Sequence, residues 1–516
     1  MTRKAGLLVA IYTAVLAINL DVTIVNVALP SIAREMEAGT RGLQWIVDGY
    51  NLAFAGLVLA AGSLSDRYGR RPALLIGLVG FAAASVAGAV VDSTSSLVTA
   101  RLVMGAFAAL IFPATLSVIS NTFTDRRQRA AALGGWGAVV GVGVASGPVV
   151  GGFLLTHFYW GSVFLALVPV ALLAAGLAFA LVPESRDPGA PSLDKPGLMV
   201  SIAMLGLATY TIIEAPERGW ASVETLAGFA VAAALLVAFV AIERRAVHPM
   251  LDVRLFADRR FSAASGAVTI VFFALAGFIF LITQYFQFVR DFSPLSTGVR
   301  ILPVAVSIAV ASVAGGLLAP RLGTRWVVVS GLTMFGLAMG WIGLTAGVDT
   351  SYASVIVPQM VLIGLGLGLV STPATESIML VLPSARAGVG SAVNDATREL
   401  GATLGVAVVG SLFSSVFADH LAASAYGDFP ALAPAQDSVA FAVQAAGQHP
   451  HLLAAAQDAF LSGLAAGCFV VALLCLVGAA IGLVALPGRR FHREAARMTK
   501  LPARSSLTSS ELELLG

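Results

Sequence analysis

The stretch from Gly62 to Arg71 reads GSLSDRYGRR, which places an acid, three arginines and two glycines between two long apolar runs. A hydrophobic chain gains nothing from this charge density unless it marks a tight turn between membrane helices. The frame returns as GLLAPRLGTR at Gly316 to Arg325. Five positions keep their residue type and spacing in the copy: Gly62, Leu64, Arg67, Gly69 and Arg71 correspond to Gly316, Leu318, Arg321, Gly323 and Arg325. The repeat predicts a duplicated membrane bundle.

Composition places the whole chain in lipid. Of its 516 residues 58% are hydrophobic and only 11% are charged, whereas soluble domains carry roughly 25% charged residues. A helix needs about 20 apolar residues to cross about 30 Å of hydrocarbon, and uncharged runs of this length recur from end to end. The sequence therefore predicts an all-α membrane protein with fourteen transmembrane helices. Six spans precede residue 183 and six follow residue 261, which predicts two six-helix bundles related by pseudo-two-fold symmetry plus an inserted helix pair.

These spans divide the chain into four parts. We expect an N-terminal bundle at 1–183, an inserted pair with its linkers at 184–260, a C-terminal bundle at 261–488 and a tail at 489–516. We expect an extracytoplasmic loop at about 418–458, rich in Ala, Gln and Pro and without Lys or Arg. It interrupts the second bundle and is too short for a core of its own.

The distribution of basic residues predicts the topology. One set of alternating loops, together with both termini, holds 24 of the 31 Lys and Arg residues, and basic loops stay on the cytoplasmic side. We therefore expect a multi-pass protein of a bacterial-type plasma membrane with both termini in the cytoplasm. The net charge of +3 is then a topology signal, and nucleic acid is not an expected partner. The first apolar stretch carries Asp21 and continues to Pro30, so it is interpreted as a helix and not as a signal peptide.

Several acids fall within predicted spans, where a charge costs about 2.5 to 3.5 kcal/mol on insertion scales. Asp21 lies in LDVTIVNVALP (20–30) and Asp48 in QWIVDGYNLAFAG (44–56). Each is a candidate proton or cation site. The alternatives are a structural hydrogen bond to a neighbouring helix for Asp21, and snorkelling to the nearby surface for Asp48.

The segment SAVNDATRELGATLGVAVVG (391–410) holds the densest group of charges. Asp395 and Glu399 are four residues apart and share a helix face, while Arg398 is three from Asp395 and within reach of it. Two acids and one base leave one acid over, which suits a proton-exchange centre. A neutral network that joins the last helices is the alternative.

Three further features stand out. Arg101 begins the fourth span and needs an acid, for which Asp21 and Asp48 are the candidates. Gln284 and Gln287 in ITQYFQF either offer hydrogen bonds to a ligand or pack in an apolar core. The stretch GGWGAVVGVGVASGPVVGG (134–152) contains GxxxG spacings at 137/141, 143/147 and 147/151, which allow close helix approach.

Together these motifs resemble one known family. GSLSDRYGRR is similar to the loop signature of the major facilitator superfamily, and LDVTIVNVALP, the Arg101 segment and the glycine-proline stretch resemble signatures of its drug:proton antiporters. The fourteen spans and the 391–410 segment resemble the branch that exports quaternary ammonium compounds, dyes and antibiotics.

The resemblance implies roles for individual residues. The resemblance assigns a coupling role to Arg101 and a conformational switch to five hairpin residues: Gly62, Asp66, Arg67, Gly69 and Arg70. It implies a helix bend typical of antiporters at Gly147, Pro148, Gly151 and Gly152. It also implies recognition of protons or cationic drugs by four acids: Asp21, Asp48, Asp395 and Glu399.

The chain also departs from that pattern. The tenth span, Ile301 to Pro320, lacks the acid that some of those exporters use for divalent cations, so activity on dications is not expected. Pro320 replaces the hairpin acid Asp66 in the second copy, and Met104 replaces a polar residue in the fourth-span signature.

The expected function is a proton-coupled secondary antiporter that exports lipophilic, cationic drugs as a monomer by alternating access. Its partners are the small-molecule substrate, protons and the lipid bilayer; no cofactor and no metal is expected. One alternative is an exporter of an endogenous metabolite or self-made antibiotic, and another is a membrane sensor that does not transport. An intramembrane enzyme is disfavoured because the six histidines fall outside the predicted spans.

Overall fold

The computed structural model describes residues 3–123, 125–186, 193–381, 387–424, 438–446 and 450–486. The regular secondary structure of these residues is entirely helical, with short connecting segments and no strand. Fourteen of the described spans are long and apolar enough to cross a membrane. The predicted fold class is therefore confirmed. The helices are α1 (Arg3–Glu35), α2 (Thr40–Tyr68), α3 (Arg70–Val90), α4 (Thr94–Thr122), α5 (Arg126–His157), α6 (Ser162–Leu165), α7 (Leu167–Leu181), α8 (Lys195–Arg218), α9 (Val223–Arg245), α10 (Arg259–Gln284), α11 (Pro294–Leu322), α12 (Thr324–Thr345), α13 (Val357–Val381), α14 (Ala387–Ala423), α15 (Val439–Ala446) and α16 (Pro450–Ala485).

Short elements complete this list. Helices α6 and α7 form one span, and π-helical turns extend α10 through Tyr285–Val289 and precede α13 at Tyr352–Ile356. Several helices are longer than the apolar runs that predicted them, so His157, His420 and His451 lie in terminal turns and not in loops. The small helix α15 lies within the predicted loop at about 418–458. The tail at 489–516 lies outside the described residues.

Two bundles with the same internal packing make up the molecule. In the first, α1 packs on α5 and α7, α2 on α4, and α3 on α4 and α7. In the second, α10 packs on α14 and α16, α11 on α13, and α12 on α13 and α16. Each of these contacts in one bundle thus has its counterpart in the other, as expected for a pseudo-two-fold repeat.

The repeated hairpin shows the same correspondence in atomic detail. Gly69 and Gly323 both adopt positive φ, 124° and 92°. Arg71 donates to the carbonyl of Phe179 at 2.6 Å, in the last span of its bundle. Arg325 donates from Nε to the carbonyl of Leu486 at 2.9 Å, just after α16. Equivalent arginines therefore tie each hairpin to the end of its own bundle.

The inserted pair sits against both bundles. Helix α9 packs on α8, and α8 contacts α2 of the first bundle and α14 of the second. Arg41 of α2 forms ion pairs of 2.7 Å with Glu214 and Glu217 of α8. The aromatic rings of Trp45 and Tyr210 lie 6.2 Å apart in the same interface. These contacts attach the inserted pair to the first bundle.

The bundles meet at one face of the molecule. We call the face where α1 begins the amino-terminal face and the other the opposite face. On the opposite side, Gln44 of α2 donates to the carbonyl of Ala407 of α14 at 2.9 Å, and Gln287 donates to the carbonyl of Val27 of α1 at 3.0 Å. Toward the amino-terminal face, Gly134 of α5 has no atom within 4 Å of its Cβ position. The molecule is thus closed at the opposite face.

Substitution of Gly69 tests the hairpin geometry. A Cβ there would lie 2.7 Å from Glu184 Oε1, on a backbone with φ of 124°. We expect Gly69→Ala to reduce the free energy of unfolding by about 1 to 3 kcal/mol. The control Gly134→Ala adds its methyl group to open space in a helix and is expected to leave stability unchanged or higher. Thermal unfolding of both variants in detergent measures this, and equal melting temperatures would contradict it.

Candidate functional site

A central cavity of about 140 Å³ lies between the two bundles. Helices α1, α2, α4 and α5 line it from the first bundle, and α10 and α14 line it from the second. Its charged lining residues are Arg101, Asp395, Arg398 and Glu399. A smaller apolar cavity of about 30 Å³ between α1, α5, α10 and α11 adjoins it. The larger cavity is the candidate site because charged groups from both bundles converge there.

On the first-bundle side, Arg101 is held from three directions. Its Nη1 donates to both carboxylate oxygens of Asp21, at 2.8 and 2.7 Å. Its Nε donates to the carbonyl of Ile46 at 3.0 Å, and its Cζ lies 4.3 Å from the centroid of the Tyr50 ring. The arginine therefore takes Asp21 as its acid, one of the two candidates named from the sequence. The pair is electrically balanced, and Arg101 lies between Asp21 and the cavity.

Asp48 occupies a different environment. Its side chain is fully buried, and it does not line the cavity although Val47, Tyr50 and Asn51 do. Neither of its oxygens accepts a hydrogen bond from the described residues. Burial at this depth rules out snorkelling in this conformation. A proton role for Asp48 remains a prediction.

On the second-bundle side, α14 brings Asp395, Arg398 and Glu399 to the cavity wall. Asp395 is 8% exposed. Arg398 does not bridge to Asp395 as the spacing suggested, since the described part of α14 contains no ion pair between them. Its Cζ lies instead 4.4 Å from the centroid of Phe272 of α10. The charge of Arg101 is cancelled by Asp21. When Asp395 and Glu399 are both ionised, Arg398 compensates one of their two negative charges, and the cavity carries a net charge of about −1.

Three aromatic rings, those of Tyr50, Phe54 and Phe112, line the first-bundle wall beside aliphatic and polar side chains. Tyr50 stacks on Phe54 at 6.2 Å, Phe54 meets Phe112 edge-on at 5.8 Å, and Phe112 meets Trp136 at 4.9 Å. Such faces attract flat apolar groups and cations. No motif in the sequence marked these rings as site residues. The spacing of Tyr50 and Phe54, one helical turn apart beside Asp48, was the signal available.

Gln284 and Gln287 lie away from this site. Gln284 donates from Nε2 to the carbonyl of Phe280 in its own helix at 3.0 Å, while Gln287 bonds to Val27 across the bundle interface. Neither lines the cavity, although the sequence made both of them ligand candidates. Gln287 contributes instead to closure at the opposite face.

The predicted switch residues lie at the amino-terminal face. Asp66 and Arg70 form an ion pair of 2.8 Å, and the backbone N–H of Arg70 donates to the carbonyl of Ser185 at 2.9 Å. Arg67 lies 5.9 Å from the centroid of Tyr68, and Gly62 faces Pro113 of α4. Because Pro320 replaces Asp66 in the copy, the second hairpin cannot form the equivalent pair.

The glycines of α5 serve two different contacts. Cβ atoms on Gly143 and Gly151 would lie 2.8 Å from Asn19 and Ile24 of α1, and Gly147 packs against Thr23 in the same interface. A Cβ on Gly152 would lie 2.6 Å from Leu295 of α11, and Gly298 packs directly on the carbonyl of Pro148. The stretch therefore holds α5 against both bundles. The spacing at 137/141 makes no such approach, since both positions face open space.

The described residues contain no group of three or more His, Cys, Asp or Glu side chains arranged to hold a metal ion. Cys468 and Cys475 are buried and free.

A double-mutant cycle tests the Asp21–Arg101 pair. Removing one partner of a buried pair leaves the other charge uncompensated and costs about 3 to 5 kcal/mol. We expect Arg101→Gln to lower the melting temperature strongly, and Asp21→Asn in the same chain to restore most of the loss. The more exposed pair Asp66 and Arg70 is the control, for which about 0 to 1 kcal/mol is expected. Additive losses in the Asp21 and Arg101 cycle would contradict this coupling.

Comparison with known proteins places the chain. The family model described as Major Facilitator Superfamily matches residues 11–406. The multidrug efflux pump LfrA of Mycolicibacterium smegmatis is 36% identical over 93% of this chain and 96% of its own. The methyl viologen resistance protein SmvA of Salmonella typhimurium is 34% identical over 89% and 94% of the two chains. The tetracenomycin C resistance and export protein of Streptomyces glaucescens is 32% identical over 92% and 90%.

A solved structure shares the fold at low sequence identity. The inward-facing, unoccupied crystal structure of a bacterial homologue of the human lysosomal transporter Spinster superposes with a TM-score of 0.67 at 16% identity. The match covers 98% of this chain and 100% of that chain.

Proposed function

We propose that this chain, which belongs to the major facilitator superfamily, exports lipophilic cationic drugs in exchange for protons. The observation that carries the proposal is the cavity between the bundles, where two carboxyl groups and one arginine leave one negative charge unbalanced beside aromatic walls. The relatives support export of drugs, since their names describe multidrug efflux and resistance to toxic compounds.

Proton and substrate compete for the same acids in this proposal. An ionised carboxylate without a counterion is costly to keep in a low-dielectric cavity, so Asp395 and Glu399 bind either a proton or a cationic substrate. Aromatic faces at Tyr50, Phe54 and Phe112 hold the apolar part of the substrate. Binding of a proton displaces the cargo, and binding of the cargo releases the proton.

Alternating access follows from the bundle contacts. The opposite face is closed by Gln44, Gln287 and the close approach of Gly298 to Pro148. Rocking of one bundle against the other breaks these contacts and opens the cavity to that side. The proton gradient drives the cycle, since one charge crossing 100 mV supplies about 2.3 kcal/mol.

The direction of export rests on the proposed topology. The amino-terminal face carries the loops rich in arginine and lysine, and basic loops stay in the cytoplasm. We therefore assign this face to the cytoplasm and the opposite face to the outside of a bacterial-type plasma membrane. Substrate enters the cavity of a single chain from the cytoplasm or the inner leaflet, and no second subunit is needed to complete the site.

Transport in everted vesicles tests this function. Under an imposed pH gradient, native protein is expected to accumulate tetraphenylphosphonium, and Asp395→Asn and Glu399→Gln are each expected to lower the initial rate at least about tenfold, because each loses a charge that the cation needs. Glu376→Gln is the matched control, since Glu376 of α13 is exposed and outside the cavity. Gradient-driven transport at the native rate in both cavity variants would contradict the proposal.

A second candidate is export of an antibiotic that the host itself makes. The tetracenomycin C relative favours it, because its name combines resistance with export. Expression in a pump-deficient host with a panel of cationic and neutral compounds separates the two. Protection against several unrelated cations supports the multidrug exporter, whereas protection against one neutral compound alone supports the narrower function.

A further inference from the structure

We propose that Arg398 determines the charge of the accepted substrate: it acts as a tethered counter-charge that restricts the cavity to monocations. This inference rests on the proposed function and extends it to one specificity-determining residue. Its starting point is the position of the guanidinium, which lies over Phe272 and not in an ion pair with either neighbouring acid.

The contacts of Arg398 leave its charge available to the cavity. The residue lines the cavity together with Asp395, Glu399 and Phe272. It lies three residues after Asp395 and next to Glu399 in α14, and among the described residues no ion pair joins it to either acid. Its positive charge therefore cancels one of the two negative charges while both carboxylates keep room for a ligand.

The remaining charges of the cavity are fixed. Arg101 is neutralised by Asp21 through two short hydrogen bonds. Asp48 is buried away from the lining. The net charge offered to a ligand is thus about −1 with Arg398 and about −2 without it. A ligand with one positive charge neutralises the cavity when Arg398 is present, and a ligand with two positive charges neutralises it when Arg398 is absent.

A second positive charge finds no other acid nearby. Helix α11, Pro294–Leu322, borders the adjoining cavity and contains no Asp or Glu. Helix α10, which contributes Phe272, Leu275 and Ala276 to the wall, has none either. A dication would therefore keep one charge unpaired in a low-dielectric site.

The ring of Phe272 is the surface on which the Arg398 guanidinium lies. A cation over an aromatic face is stabilised by the ring quadrupole, and the Arg398 guanidinium already occupies this face at 4.4 Å. Removal of the guanidinium therefore frees an aromatic cation-binding surface and leaves the charge of a second carboxylate uncompensated. Both changes favour a ligand with two positive charges.

Ethidium and propidium provide a matched pair of probes, because they share the phenanthridinium ring and propidium adds a second cationic group. Equilibrium binding to purified protein is measured by dye fluorescence. We expect the native chain to prefer ethidium. Arg398→Gln is expected to shift the ratio of the two Kd values about tenfold toward propidium, as one elementary charge at close range allows. Arg398→Lys keeps the charge and is expected to keep the native ratio.

Controls distinguish the possible failures. Arg254→Gln removes a charge from the linker before α10 and is expected to leave the ratio unchanged. An unchanged ratio in Arg398→Gln, or equal weakening of both dyes, overturns this inference while the native affinity still supports export of cations. Binding of neither dye by the native chain overturns the proposed function itself.

Should Arg398→Gln fail to fold, Asp395→Asn tests the reverse change. This variant makes the cavity less negative, so we expect it to weaken the binding of propidium more than the binding of ethidium. Equal weakening of both dyes contradicts the inference.

Discussion

A charge inside a membrane must be paired, and the Asp21–Arg101 pair meets this requirement for the first bundle. The pair joins α1 to α4, and the second contact of Arg101, to the carbonyl of Ile46, adds α2. Three helices are thereby fixed around one buried cation. Because this pair is balanced, the first bundle presents aromatic rings and a neutralised guanidinium to the cavity. The unbalanced charge is left to the second bundle.

The two bundles contribute different chemical groups to the cavity. The first supplies the aromatic rings of Tyr50, Phe54 and Phe112, and the second supplies the carboxyl groups of α14. In the proposed transport cycle, a ligand with one positive charge and an aromatic body contacts both bundles, so its binding depends on their relative position. Opening of the opposite face would separate these contacts, and occupancy would thereby be coupled to conformation.

Sequence patterns predicted the architecture but not the facing of the side chains. The repeated hairpin and the basic loops predicted two bundles and an inserted pair, because the spacing of motifs and the positions of charged residues can be read from a single sequence. The cost of burying charge predicted that Arg101 takes an acid, with Asp21 and Asp48 as the candidates, and the structure shows that the acid is Asp21. The contact of Arg398 with Phe272 and the location of Gln284 and Gln287 did not follow. A membrane helix is apolar on all sides, so no hydrophobic stripe tells which face meets the cavity and which meets lipid.

In the proposed mechanism, proton and cationic substrate bind alternately to the same carboxyl groups. The decisive measurement is proton release by purified protein in weakly buffered detergent at neutral pH, on addition of tetraphenylphosphonium. We expect close to one proton released per cation bound, and no release from the double variant Asp395→Asn/Glu399→Gln. Binding of the cation to the native chain without release of a proton would contradict it.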